Sequence, residues 1–174
     1  MSDLRFPIGP FEMPSEVTPS QREDHLAVVE STPVALRQAV SDLDADKLAT
    51  PYRDGGWSCR QVVHHLVDSH VNSYVRFKLA LTEDTPTIRT YDEATWAELP
   101  DAKAADIETS LALLESLHRR WLTMLRSLGE AQWSRRFKHP EMGELRLDQN
   151  LALYAWHGRH HVAHITNLRA REGW

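Results

Sequence analysis

The sequence of 174 residues predicts an all-α fold, a four-helix bundle with long crossover connections and a short β-hairpin before the last helix. Three observations carry that prediction. Four long segments repeat apolar residues at spacings of three and four, helix-capping residues or breakers bound them, and alternating strand patterns are almost absent.

Residues 1–19 contain four prolines and no periodicity, which predicts an extended N-terminal arm lying against the body. The first long helix is expected from near Ser20 to Leu43, its acidic first turn suiting a helix N-terminus, with Pro33 kinking or dividing it. Tyr52–Trp57, YRDGGW, reads as a turn because its paired glycines permit positive φ. Ser58 followed by Gln61 forms a capping box that opens the second long helix, Ser58–Thr82. On a helical wheel Val63, Leu66, Val67, Tyr74 and Phe77 share one side of it. Gln61, His65, Asp68, Ser69, Asn72 and Arg76 gather on the other, a short hydrogen-bonding stripe suited to the wall of a wet cavity. Residues 83–106 read as a connection with one short helix at Asp92–Leu99. The third long helix spans Ala105–Leu128 on a leucine and tryptophan stripe, with Gly129 as its stop. PEMGE then suggests a turn between two short extended pieces, and the fourth helix starts near Leu147 or Asp148.

Length and pattern are those of one domain, residues 1–174. No apolar run is long enough to span a membrane, and the first residues lack the basic start and apolar stretch of a signal peptide, so a cytoplasmic location is expected. Twenty Lys and Arg against 25 Asp and Glu leave no basic excess to hold a phosphate backbone, which argues against nucleic acid as a partner. A single cysteine, Cys59, gives no internal disulfide and no thiolate cluster, so any metal site must rely on imidazole and carboxylate.

Four of the ten histidines lie in Leu151–Leu168, LALYAWHGRHHVAHITNL. His157, His161 and His164 share a stripe with Leu153, Tyr154 and Leu168, so they point toward the protein and need a partner there. His157 and His161, four residues apart, stand one above the other and can present two nitrogens to one cation. Such pairs also arise by chance, and a third ligand is what makes a centre. In a bundle, His65 of the second helix can face them.

The strings PIGPF, PYRDGGWSCRQVVHHLVDSHVNSYVRFKLALTE and YAWHGRHHVAHI resemble the YfiT group of the DinB-like superfamily over nearly the whole chain, in matching order and separation. The resemblance implies a four-helix bundle, a homodimer and one divalent metal per chain. It maps the ligands onto the second histidine of VVHHL, His65, and onto the histidines of W-H-x-x-x-H, His157 and His161. His164 matches a family histidine that is not a usual ligand.

Three imidazoles on zinc leave a position for water or substrate, as in catalytic centres. Nickel, cobalt, manganese or iron also suit such ligands. Two enzymatic readings follow for a small-molecule substrate: metal-dependent hydrolysis, the conventional description of the group, and transfer of a low-molecular-weight thiol of the bacillithiol type. No glutamate follows His157 as a general base, and a metal-activated thiol needs none, which favours transfer on mechanism. A metal-binding stress protein without catalysis is the third class. Asp68 is expected to orient a histidine. Arg53, Ser69, Asn72, Arg76 and His164 are placed in or beside the pocket, and Trp57 and Trp156 at its edge.

Overall fold

The computed structural model describes residues 3–174. Its first helix, α1 (Pro19–Ala39), opens on a capping box: Thr18 Oγ1 accepts from Gln21 N–H at 3.3 Å and Gln21 Oε1 accepts from Thr18 N–H at 2.9 Å. The start falls just ahead of the position expected, so Glu23 and Asp24 lie beyond the first turn, which holds no acidic residue. The helix ends at Ala39 and not at Leu43: Val40 is its C-cap, and at Asp42 the backbone turns to φ +63°, which a helix cannot contain. A short α2 (Ala45–Ala49) follows, capped by Asp44.

Pro33 does not divide α1. Proline has no N–H, so the carbonyl four residues earlier, on Val29, loses its helical partner. His118 Nδ1 lies 2.7 Å from that carbonyl oxygen and supplies the missing donor. The helix therefore continues through a position that would otherwise leave an orphaned buried acceptor.

The second long helix, α3 (Cys59–Thr82), has the expected Ser58–Gln61 capping box. Gly55 in the preceding turn takes φ +65°. The connection after α3 carries α4 (Glu93–Trp96) and α5 (Pro100–Ala104), and α6 (Ile107–Leu125) then follows its N-cap Asp106, whose carboxylate accepts from Glu108 N–H at 2.9 Å. Gly129 does not stop α6 in a left-handed turn. Its φ is −84°, and it opens one further helical turn, α7 (Glu130–Trp133). Strands β1 (Arg136–His139) and β2 (Gly143–Arg146) pair antiparallel, with Phe137 opposite Leu145, and lead into α8 (Leu147–Glu172). Gly143 and Gly173 take positive φ at the hairpin turn and at the end of α8.

Around the bundle, α1 packs on α6 and α8, and α3 packs on the same two helices. Helices α1 and α3 are thus diagonal, as are α6 and α8, and two connections must cross the bundle. The long α3–α6 connection, which joins neighbouring helices, is fastened to the hairpin by Ile88 N–H to Lys138 O at 3.0 Å and Lys138 N–H to Pro86 O at 2.8 Å. The N-terminal arm lies along α8, where Gln149 Nε2 donates to Pro14 O at 2.8 Å and Trp156 Nε1 donates to Gly9 O at 3.3 Å. Among the described residues no helix is long and apolar enough to cross a membrane.

Two apolar clusters fill the interior. One holds Val29, Phe77, Trp121, Leu147 and Tyr154, and the other Leu36, Val62, Leu66, Leu114 and Ile165. Each long helix passes from one to the other through a polar or irregular stretch: Thr32 and Pro33 on α1, Ser69 to Arg76 on α3, His118 on α6, and His157 to His164 on α8. These stretches form a buried polar layer across the middle of the bundle. Gly158 lets α8 approach α1 there, since an added Cβ would meet Thr32 Oγ1 at 2.7 Å.

Candidate metal centre

Helices α3 and α8 bring His65, His157 and His161 together, each offering one ring nitrogen within 4.8 Å of the others. That spread suits the corners of one coordination shell, given metal–nitrogen distances of about 2.0–2.1 Å. Ring centroids lie 4.4 Å apart for His157 and His161, 4.7 Å for His65 and His161, and 5.4 Å for His65 and His157. Trp57 covers His65 at 4.5 Å between centroids. Among the described residues His161 Nδ1 is buried without a hydrogen-bond partner, as are the Nδ1 atoms of His160 and His164.

Burial keeps all three rings neutral. His65 is pushed down to about 4, and His157 and His161 lie well below the usual histidine range, first through burial and then through the positive charge that neighbouring histidines, His160 and His164 among them, would carry on protonation. Neutral imidazoles keep the lone pairs that a cation requires.

The orientation of His157 is set from deep in the polar layer. The Val29 carbonyl can only accept, so His118 Nδ1 carries the proton and His118 Nε2 is an acceptor. His70 Nδ1 lies 2.8 Å from His118 Nε2 and must donate to it, leaving His70 Nε2 as an acceptor. His157 Nδ1 approaches that atom at 3.4 Å. Hydrogen-bonding sense thus passes from a carbonyl freed by Pro33 through two buried histidines and leaves the lone pair of His157 on Nε2. His70 and His118 were absent from the expected site. His118 sits within a leucine stripe and His70 outside the stripe of His65, and the only sequence signal was the acceptor that Pro33 leaves on Val29.

The triad lies in a cavity of about 390 Å³, lined also by Trp57, Ser69, Arg76 and Tyr154. The α3–α6 connection adds Thr90, Tyr91 and Glu93, and the hairpin adds His139, Glu141 and Met142. The sequence places none of these six there, because connecting and hairpin residues reach the site only through the tertiary fastening of the α3–α6 connection. A larger groove of about 870 Å³ lies between α1 and α6, but the three histidines are not part of it. We place the chemistry in the smaller cavity, where convergent nitrogens meet a polar wall.

Other expected residues are distributed differently. The Asp68 carboxylate makes no hydrogen bond to a histidine among the described residues; burial, then the charge of Asp101, raise it to about 6. Asn72 Nδ2 turns back to Asp68 O at 2.9 Å on its own helix. Arg53 lies over Tyr52 at 5.4 Å and donates to Asp54 O, outside the cavity. His164 stacks on Tyr52 at 3.9 Å and lies 3.3 Å from Arg5 O, fastening the arm. Trp156 stacks on His160 at 4.3 Å and meets Phe11 of the arm, away from the triad. His64, beside His65 in sequence, faces α6, with Nδ1 2.7 Å from Ser110 Oγ. Cys59 is fully buried and its thiol is pushed up to about 11 by burial, so it offers no thiolate.

The profile of the DinB superfamily matches residues 29–165. Proteins from Bacillus cereus and Bacillus mycoides, provisionally described as metal-dependent hydrolases, are each 53% identical over the whole of both chains. YfiT from Bacillus subtilis, described as a probable metal-dependent hydrolase with an unusual four-helix bundle topology, superposes with a TM-score of 0.96 at 51% identity, covering 98% of each chain. A second solved structure, the four-helix bundle protein TT2238, has a TM-score of 0.57 at 22% identity, covering 88% of this chain and 99% of its own, a likeness of fold alone.

Proposed function

The chain belongs to the DinB superfamily, and on that premise we propose that it is a metal-dependent enzyme whose His65, His157 and His161 hold one divalent cation, zinc for preference, against a small-molecule substrate. The observation that carries this reading is the convergence of three neutral ring nitrogens within 4.8 Å on a cavity wall. When bound there, such a cation would supply Lewis-acid chemistry, lowering the pKa of a nucleophile and polarising the electrophile. Tyr154 Oη and Ser69 Oγ, 3.4 Å apart, give the wall hydroxyls that can orient the reacting groups, and Trp57 shields His65 from solvent.

Water as the nucleophile makes the reaction hydrolysis, in keeping with how the relatives from Bacillus are described. A second reading, transfer of a low-molecular-weight thiol, is favoured by one feature of the cavity. No carboxylate belongs to the histidine group, and Glu93 and Glu141 enter the lining from loop and hairpin, whereas a thiol activated by the metal needs no neighbouring base.

The test is turnover by zinc-loaded protein of p-nitrophenyl esters and, separately, of cysteine with 1-chloro-2,4-dinitrobenzene. Activity in one assay should vanish on chelation and in His157→Ala. Turnover that survives both changes, or absence of zinc uptake, would refute the reading.

A further inference from the structure

Two arginines of the bundle are buried, Arg22 and Arg76. Arg22 is neutralised in the ordinary way, by an ion pair with Glu130, and its guanidinium also lies 5.7 Å from the Trp133 ring centroid. Arg76 has no such partner. It is 8% exposed, forms no ion pair among the described residues, and its Nε is buried without a hydrogen bond. Its one hydrogen bond among the described residues is a long one, Nη1 donating to Tyr154 Oη at 3.5 Å. A buried cation without a counter-charge is costly and persists where something else rewards it.

Arg76 lines the same cavity as the histidine triad. From its Nη1 the polar path runs to Tyr154 Oη at 3.5 Å, on to Ser69 Oγ at 3.4 Å, and then to His157 Nε2 at 3.5 Å. His139 stands on the same wall. Its Nδ1 accepts from the N–H groups of Glu141 and Met142 at 3.3 Å, so the ring proton sits on Nε2 as a further donor. Arg76 and His139 line the same cavity, and burial, then the charge of Arg76, hold His139 below its usual range. The carboxylates on the lining, Glu93 and Glu141, lie outside ion-pair distance of Arg76 and repel further negative charge.

We propose that Arg76 is the anion-binding subsite of this cavity and that the substrate is a small molecule bearing a carboxylate, held by the guanidinium while its reacting group faces the triad. The planar fork of guanidinium donors matches a carboxylate. One cation with acidic residues on the same lining suits a monoanion better than a phosphate dianion. The inference deepens the proposed function and rests on it for the reacting end, but anion recognition by Arg76 stands on its own geometry.

Binding and stability test it without recourse to turnover. Zinc-loaded protein is titrated by calorimetry with 3-phenylpropanoate, its neutral amide and phenyl phosphate, and the series is repeated under chelation and in Arg76→Met and Arg76→Lys. The expected result is that the carboxylate binds roughly tenfold or more tightly than the amide, with or without zinc, and that Arg76→Met abolishes the preference while Arg76→Lys retains part of it. Arg76→Met should also melt at a higher temperature than the parent, because a nearly isosteric apolar side chain replaces an unpaired buried charge. A preference that persists in Arg76→Met and disappears on chelation would assign the carboxylate to the metal and overturn the proposal. So would Arg76-dependent binding that is tightest for phenyl phosphate, or a lowered melting temperature in Arg76→Met, which would mark Arg76 as structural. Failure of zinc uptake refutes the proposed function and leaves the Arg76 measurements, made under chelation, to decide this inference separately.

Discussion

Replacing His118 by leucine should destabilise the protein in a way that Pro33→Ala partly reverses. In the parent the His118 imidazole satisfies two groups, accepting from His70 at 2.8 Å and donating to the Val29 carbonyl at 2.7 Å. Leucine fills similar space in the interior but leaves both partners unpaired in a site that is 1% exposed at residue 118. An unsatisfied buried polar group costs about 1–3 kcal/mol, so His118→Leu should lose roughly 2–5 kcal/mol. Alanine at position 33 restores an amide donor for Val29 and should recover about 1–3 kcal/mol in the His118→Leu background. In the parent that carbonyl already has a partner, so the same substitution should do much less there. The four proteins are compared by urea unfolding, with the coupling read from the double-mutant cycle. Equal effects of Pro33→Ala in both backgrounds, within about 0.5 kcal/mol, would refute the claim that His118 substitutes for the missing helical donor.

Two further outcomes follow from the polar layer. His65→Ala should weaken zinc binding by orders of magnitude while His64→Ala, whose ring faces Ser110, leaves it nearly intact; His70→Ala should weaken it by about 10- to 100-fold through loss of the support to His157, and calorimetric titration of zinc that ranks these variants equally would refute the assignment. In metal-free protein the stability should fall as the pH drops from about 6.5 toward 4, because burial holds His118 at about 4 and the folded form therefore binds fewer protons than the unfolded chain. The contribution of His118 is on the order of 3 kcal/mol, fully present above about pH 6.5, and urea midpoints that stay constant from pH 7.5 to 4.5, or fall as steeply in His118→Leu, would contradict it.

Much of this protein is legible in one dimension. The capping box at Ser58 and Gln61, the glycine turn before it and the long apolar periodicities specify where α3 and α8 lie, because capping and amphipathicity are local properties. The pair His157 and His161 is equally local, being fixed by helical spacing, and one wheel is enough to distinguish His65 from His64. Asp42 and Gly129 misled for the same local reason: Asp tolerates a left-handed backbone that its sequence does not require, and Gly permits one that it need not adopt. The depth of the site belongs to the tertiary structure alone. Whether Arg76 meets a carboxylate, whether Asp68 faces a histidine, and which loop residues enclose the cavity all depend on how the α3–α6 connection and the hairpin are fastened together. The alignment of Pro33, His118, His70 and His157 in one layer depends on the axial register of four helices. No residue in a single helix encodes that register; it emerges from packing two apolar clusters above and below a shared polar level.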